Sequence, residues 1–87
     1  MMKVEAAAIL GDDGRIYSEP RPARHHDVIA AARMSGYGGS VAGLRQGFVL
    51  SDGRFATRAD ARIVADKAGQ IIPGRTQASI LTSEDMW

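Results

Sequence analysis

Two short stretches constrain this chain more than anything else in it. Ile9, Leu10, Gly11, Asp12, Asp13, Gly14, Arg15 and Ile16 read like Val49, Leu50, Ser51, Asp52, Gly53, Arg54 and Phe55, with one extra turn residue in the first copy. Each is an apolar run broken by Asp-Gly, a pair that supplies the positive φ angles of a tight hairpin turn. A segment of helical pattern follows each of them. The expected fold is therefore α+β: two β-hairpins each followed by a helix, a ββα pseudo-repeat, giving a mainly antiparallel sheet with helices on one face.

The second helix has the clearer signals. Thr57 with Asp60 makes a capping-box-like start, and Gly69 supplies a left-handed stop. Between them Ala61, Val64, Ala65 and Ala68 share a face and predict core, while Arg58, Arg62 and Asp66 share a solvated one. The first helix is expected to carry Pro22 in its first turn and to end at Ser35 and Gly36. Val28, Ile29 and Ala32 form its apolar stripe, with His25 projecting from the middle and His26 and Arg33 flanking it. Residues 36–47, rich in glycine, read as a loop. An extended segment around 78–82 could add to the sheet, and 83–87 form an acidic-aromatic tail. Phe48 and Phe55 face each other across the second hairpin or nearly so and read as core.

Length and composition narrow the class. With 87 residues this is one domain, 1–87, and a chain of this size hides only about 60–65% of its surface on folding. The absence of cysteine excludes disulfides and disfavours a zinc staple, so a partner subunit is expected to supply the missing burial, giving at least a dimer. Eleven Lys+Arg against ten Asp+Glu exclude a strongly basic protein that coats extended nucleic acid. No apolar run approaches the roughly 20 residues of a membrane span, and the start has no signal-peptide pattern, so a cytoplasmic setting is expected.

The chemistry concentrates in Arg21-Pro22-Ala23-Arg24-His25-His26-Asp27. Potentially cationic side chains crowd a helix start, where the macrodipole is already positive and acids are normally stabilising. Free backbone N–H groups with Arg21, Arg24, His25 and His26 would make an anion or phosphate cradle; the plainer alternative is a solvent-screened helix start. Tyr37 could stack on a base or pack the loop. Arg54, like Arg15, could reach phosphate or bond its own turn aspartate. Adjacent histidines point about 100° apart and chelate one metal poorly, so no metal or cofactor is implied. Neither a cysteine nor a GxSxG elbow offers a nucleophile, which leaves a histidine general base as the catalytic alternative. In the tail, Glu84 and Asp85 could accept bonds from ribose hydroxyls or clamp Arg24 and His25, while Trp87 could stack on a base or dock on another chain.

RIYSEPRPARHHDVI, QGFVLSDGRF followed by Arg58 and Ala61, AGQI and the terminal SEDMW together resemble a family of small phage and prophage proteins, from about Ala8 to Trp87. The resemblance implies a phage origin and the cytoplasm of an infected bacterium. By analogy with small phage counter-defence factors, the expected function is binding and sequestration of a nucleotide-derived signal, of cyclic oligonucleotide or ADP-ribose type. The expected site is Arg21, Arg24, His25 and His26 on phosphate, with Arg54 or Arg58 assisting and Tyr37 or Trp87 on a base. A small phosphodiesterase using His25 and His26, and a protein-binding inhibitor of a host factor, are the competing classes.

Overall fold

The computed structural model describes residues 2–38, 45–73 and 81–87. In chain order the elements are β1 (Val4–Leu10), β2 (Ile16–Ser18), α1 (His25–Met34), β3 (Arg45–Leu50), β4 (Phe55–Thr57), α2 (Arg58–Lys67) and a 3-10 turn at Ser83–Asp85. The four strands form one sheet in the order β2-β1-β3-β4, every neighbouring pair antiparallel. This is the expected α+β arrangement of two hairpins each followed by a helix.

The two turns are built alike. Gly11 N–H donates to Arg15 O at 2.9 Å and Gly14 N–H to Gly11 O at 3.1 Å; Leu50 N–H donates to Arg54 O and Gly53 N–H to Leu50 O, both at 2.9 Å. In each, the aspartate before the glycine accepts the backbone N–H two residues on, Asp13 from Arg15 and Asp52 from Arg54, both at 3.0 Å. Two expectations are corrected here. The turns are equally long, and only their glycines take positive φ, 80° at Gly14 and 87° at Gly53. Each loop is thus a tight turn followed by a left-handed glycine, rather than a two-residue turn with both residues left-handed.

The helices repeat as well. Tyr37 N–H bonds Ala32 O at 3.0 Å past Gly36, and Gln70 N–H bonds Ala65 O at 2.9 Å past Gly69, so both ends close through a left-handed glycine. The residue after each glycine then reaches back to the first hairpin. Tyr37 Oη donates to Asp12 Oδ1 at 3.2 Å, and the Gln70 amide pairs with both backbone groups of Val4 at 2.8 and 2.9 Å.

Alternation along the central strands selects the core. Ala7, Ile9, Phe48 and Ala56 join Val28 and Ala32 of α1, Ala61 and Ala65 of α2, and Leu81 and Met86 in one buried cluster. Phe55 does not share this face with Phe48. It pairs with Val49, is half-buried, and lies over Gly47, while Phe48 pairs with Ala56 and is fully buried. Other boundaries shift too. α1 begins at His25 rather than around Pro22, because Arg24 is the extended N-cap and its N–H is taken by Asp27 Oδ2 at 2.8 Å. The expected 36–47 loop gives up Arg45, Gln46 and Gly47 to β3, and its residues 39–44 lie outside the described part. Of the extended segment expected at 78–82, residues 78–80 also lie outside it, and Leu81 and Thr82 are not strand.

Gly47 is the tightest point of the sheet, since a Cβ there would run into the Ala56 carbonyl oxygen and meet the Phe55 ring at 2.5 Å. Gly47→Ala is expected to cost about 2 kcal/mol or more in urea denaturation, as overpacking against backbone cannot relax. Gly38→Ala, whose new Cβ meets nothing within 4 Å among the described residues, serves as the control and should change little.

The turn aspartates also contribute to the acid limb of stability. The Arg15 backbone N–H, then the Tyr17 hydroxyl, hold Asp13 below the usual carboxylate value of 3.8, and the Arg54 N–H does the same for Asp52. A depressed folded-state pKa gives stability that is present above the unfolded value and lost as pH falls through the folded one. Melting temperature should therefore fall as pH drops below about 4, and the Asp13→Asn, Asp52→Asn double variant should show a shallower fall.

Candidate functional site

The starts of α1 and α2 come together with the tail at one cleft of about 270 Å³. Its fixed cations are Arg24 and Arg58, the His26 imidazole lies beside them, and Gln46, Thr82 and Ser83 add neutral polar groups. Ile29 and His25 complete the lining. Residues from four separate stretches of sequence thus converge.

His25, the first residue of α1, is 7% exposed. Its Nε2 lies 2.7 Å from Gly47 O, and because a carbonyl only accepts, that nitrogen carries the proton. The ring also sits edge-on to Phe48, centroids 5.1 Å apart at 79°. His25 therefore anchors the helix to β3 and presents little to a ligand. His26 projects outward, its side chain 79% exposed and its Nε2 3.3 Å from Asp27 Oδ1.

Arg24 is held by the tail, donating to Ser83 Oγ at 3.4 Å and to the backbone oxygen of Trp87. Trp87 in turn donates through Nε1 to Ala23 O at 3.2 Å, stands edge-on to Phe48, and carries the Arg21 guanidinium over its ring at 5.3 Å. This Arg21–Trp87–Phe48–His25 series ties the turn before α1, the tail and the core into one block. Asp85 accepts the Thr82 N–H at 2.9 Å, closing the 3-10 turn. The Glu84 side chain lies outside the described part of the structure.

On the α2 side, Thr57 caps the helix by accepting the Asp60 N–H at 3.2 Å. Arg58, the first helical residue, donates from one terminal nitrogen to Gln46 Oε1, and its backbone oxygen accepts the Leu81 N–H at 3.0 Å. Its Nε is buried and is the one side-chain polar atom among the described residues that is buried without a hydrogen-bond partner. Leaving such a donor unsatisfied costs on the order of 1–3 kcal/mol.

Of the residues expected at a site, Arg24, His25, His26 and Arg58 line this cleft and Trp87 braces its wall. Arg21 is spent on Trp87. Arg54 bonds its own turn aspartate, Nε to Asp52 Oδ2 at 2.5 Å, as the alternative reading of that residue had it. Tyr37 is buried elsewhere, against Tyr17 with ring centroids 5.6 Å apart; burial first, then the Asp12 bond, raise its hydroxyl above the usual tyrosine value. Gln46, Thr82 and Ser83 were not anticipated as site residues, although they lie in or beside the QGF and SEDMW motifs. No group of three His, Cys, Asp or Glu among the described residues is gathered to hold a metal ion. Likewise, no described helix is long and apolar enough to cross a membrane.

Fold and cleft together define a small ββα-repeat domain with a cationic cleft where its two helices begin. The sequence pattern of the family described as Phage T4 y16D protein matches residues 2–87, and the chain belongs to that family. No curated protein and no solved structure matches the chain.

The two histidines should separate cleanly. His25→Ala is expected to cost about 2–3 kcal/mol in chemical denaturation, through the lost buried hydrogen bond and the cavity beside Phe48. His26→Ala should stay within about 0.5 kcal/mol of the parent.

Proposed function

We propose that this phage-family protein binds and sequesters a nucleotide-type small molecule, seating one phosphate group in the cleft between the starts of α1 and α2. The observation that carries this reading is the buried, unpartnered Nε of Arg58 on a residue lining a cleft that also holds Arg24 and His26. A phosphate oxygen supplies the missing acceptor, and a guanidinium offers it a planar fork. First-turn N–H groups of two helices add partial positive charge of the same sign.

The cleft's size sets the mode of binding. At about 270 Å³ it lies just under the range of about 300–1,000 Å³ that encloses drug-sized ligands. It takes a phosphate with part of its sugar, so a cyclic oligonucleotide or an ADP-ribose derivative would present one phosphate and leave the rest across the mouth. In a phage, such binding withdraws a signal from host defence without destroying it. Sequestration is favoured over phosphodiester cleavage because His25 is committed to Gly47 O, which leaves His26 as the sole histidine with an exposed ring.

Calorimetric titration with inorganic phosphate, a 5′-mononucleotide, a cyclic dinucleotide and an ADP-ribose derivative tests this, followed by mass spectrometry of ligand released on denaturation. Binding that weakens with added salt and unaltered recovered ligand are expected. Arg58→Ala should lower affinity about tenfold or more, a loss of about 1.4 kcal/mol or above, without lowering the melting temperature. Altered ligand would establish catalysis instead. No binding by any member of the panel would leave the inhibitor of a host protein as the better reading.

A further inference from the structure

Among the described residues, strand β2 leaves one edge of the sheet open. Its register with β1 sets Ile9 opposite Tyr17, and Gly11 N–H bonds Arg15 O at 2.9 Å. Antiparallel ladders alternate bonded and non-bonded pairs, so Tyr17 directs its backbone groups toward β1 while those of Ile16 and Ser18 point away from the sheet. No turn, loop or cap hydrogen bond among the described residues uses those four outward groups. Ile16 is 45% exposed, and a second cleft of about 270 Å³ runs beside this edge between β2 and α1, lined by Tyr17, Glu19, Val28 and Ala32. An edge of this kind is a template for another strand.

We propose that this edge pairs with the same edge of a second copy of the chain, antiparallel and centred on Tyr17. The flanking residues leave one register. Centring the pair on Ile16 sets Ser18 opposite Gly14, whose φ of 80° is outside strand geometry. Centring it on Ser18 sets Ile16 opposite Pro20, which has no N–H to give. Centred on Tyr17, Ile16 faces Ser18 of the second copy, and the outward groups form four backbone hydrogen bonds about a twofold axis. In the same register Arg15 faces Glu19 of the second copy, and Glu19 faces its Arg15. Opposite charges directly across a strand pair stabilise it.

The pseudo-repeat provides an internal control. Asp13 and Asp52, Gly14 and Gly53, and Arg15 and Arg54 are each 39 residues apart, and the same offset carries Tyr17 to Ala56 and Glu19 to Arg58. At the other edge, formed by β4, the equivalent pairing centred on Ala56 would set Arg54 against Arg58. Like charges across strands repel, and the chain there passes at once into α2. Charge therefore selects β2 over β4 for self-pairing.

Sedimentation equilibrium of the full chain at micromolar concentration is expected to give a dimer mass. Glu19→Arg places like charges opposite one another and should weaken dimerisation about tenfold or more. Exchanging the pair, Arg15→Glu with Glu19→Arg, should restore it. Thermal melts followed by circular dichroism establish that each variant is folded. A monomer at every concentration would overturn the proposal and leave the edge to a strand of another protein. So would a dimer indifferent to Glu19→Arg, or a folded charge-exchanged pair that stays monomeric. None of these outcomes depends on a ligand, so this test and that of the cleft fail independently.

Discussion

The hydrogen bond from His25 Nε2 to Gly47 O, at 2.7 Å, is the constraint from which the remaining geometry follows. It joins the first residue of α1 to the middle of the sheet. Gly47 pairs with Ala8, and those two residues are themselves 39 apart, the offset that relates the two turns. The pseudo-twofold axis of the sheet therefore passes between them. At that point one face carries Phe55 against the bare Gly47 Cα, and the other receives the helix start. A side chain at 47 would push β4 away, and α2, which follows β4 without an intervening residue, would move with it.

Around that axis the two halves share a frame and divide the work. Counting 33 residues from one helix to the other, His25 corresponds to Arg58, Asp27 to Asp60, Ala32 to Ala65 and Tyr37 to Gln70. At the first helical position one half places an imidazole with its bonded nitrogen satisfied in the core. The other places a guanidinium whose Nε is buried without an acceptor. The same backbone position thus serves structure in one half and holds an unmet bonding capacity in the other. Capping follows the same division: Asp27 closes its turn with a side-chain carboxylate onto the N-cap N–H, whereas Thr57 caps from the opposite end by accepting the Asp60 N–H.

Much of the fold was legible because its signals are local. Asp-Gly in an apolar run, Thr57 before a helical face, and glycines at 36 and 69 each specify backbone conformation within a few residues. What local signals could not specify was which groups each cation would meet. Arg21 and Arg24 look as free in sequence as Arg58, yet one lies over Trp87 and the other is held by Ser83 and Trp87, some 60 residues away. Those contacts depend on the tail returning to α1, a long-range event that helical periodicity does not encode. The start of α1 was misplaced for a related reason. Pro22 satisfies the preference for proline in a first turn, but Asp27 captures the Arg24 N–H and fixes the helix start two residues beyond Ala23. Phe55 was assigned to the core on the expectation that it faces Phe48 across the second hairpin or nearly so, and the register of β3 with β4 places it on the opposite face from Phe48.

The tail makes stability and the shape of the cleft two aspects of one set of contacts. Leu81 is fully buried and its N–H bonds the Arg58 carbonyl, Ile72 N–H bonds Asp85 O at 2.8 Å, and Ser83 touches Arg24 across the cleft. The segment that walls the cleft is therefore fastened to both helix starts, and loosening it would free Arg24 while removing Leu81 and Met86 from a thin core. Under the proposed function, a phosphate seated between Arg24 and Arg58 draws together the groups that hold the tail, and it screens the repulsion between two cations near helix starts. A ligand that binds the folded state and not the unfolded one stabilises it by RT ln(1 + [L]/Kd), about 2.7 kcal/mol at a hundredfold excess over Kd. For a domain of this size that is a large share of the total. On that proposal the unpaired Arg58 Nε has a physical rationale: stability left unrealised in the free protein would be recovered on binding the anion.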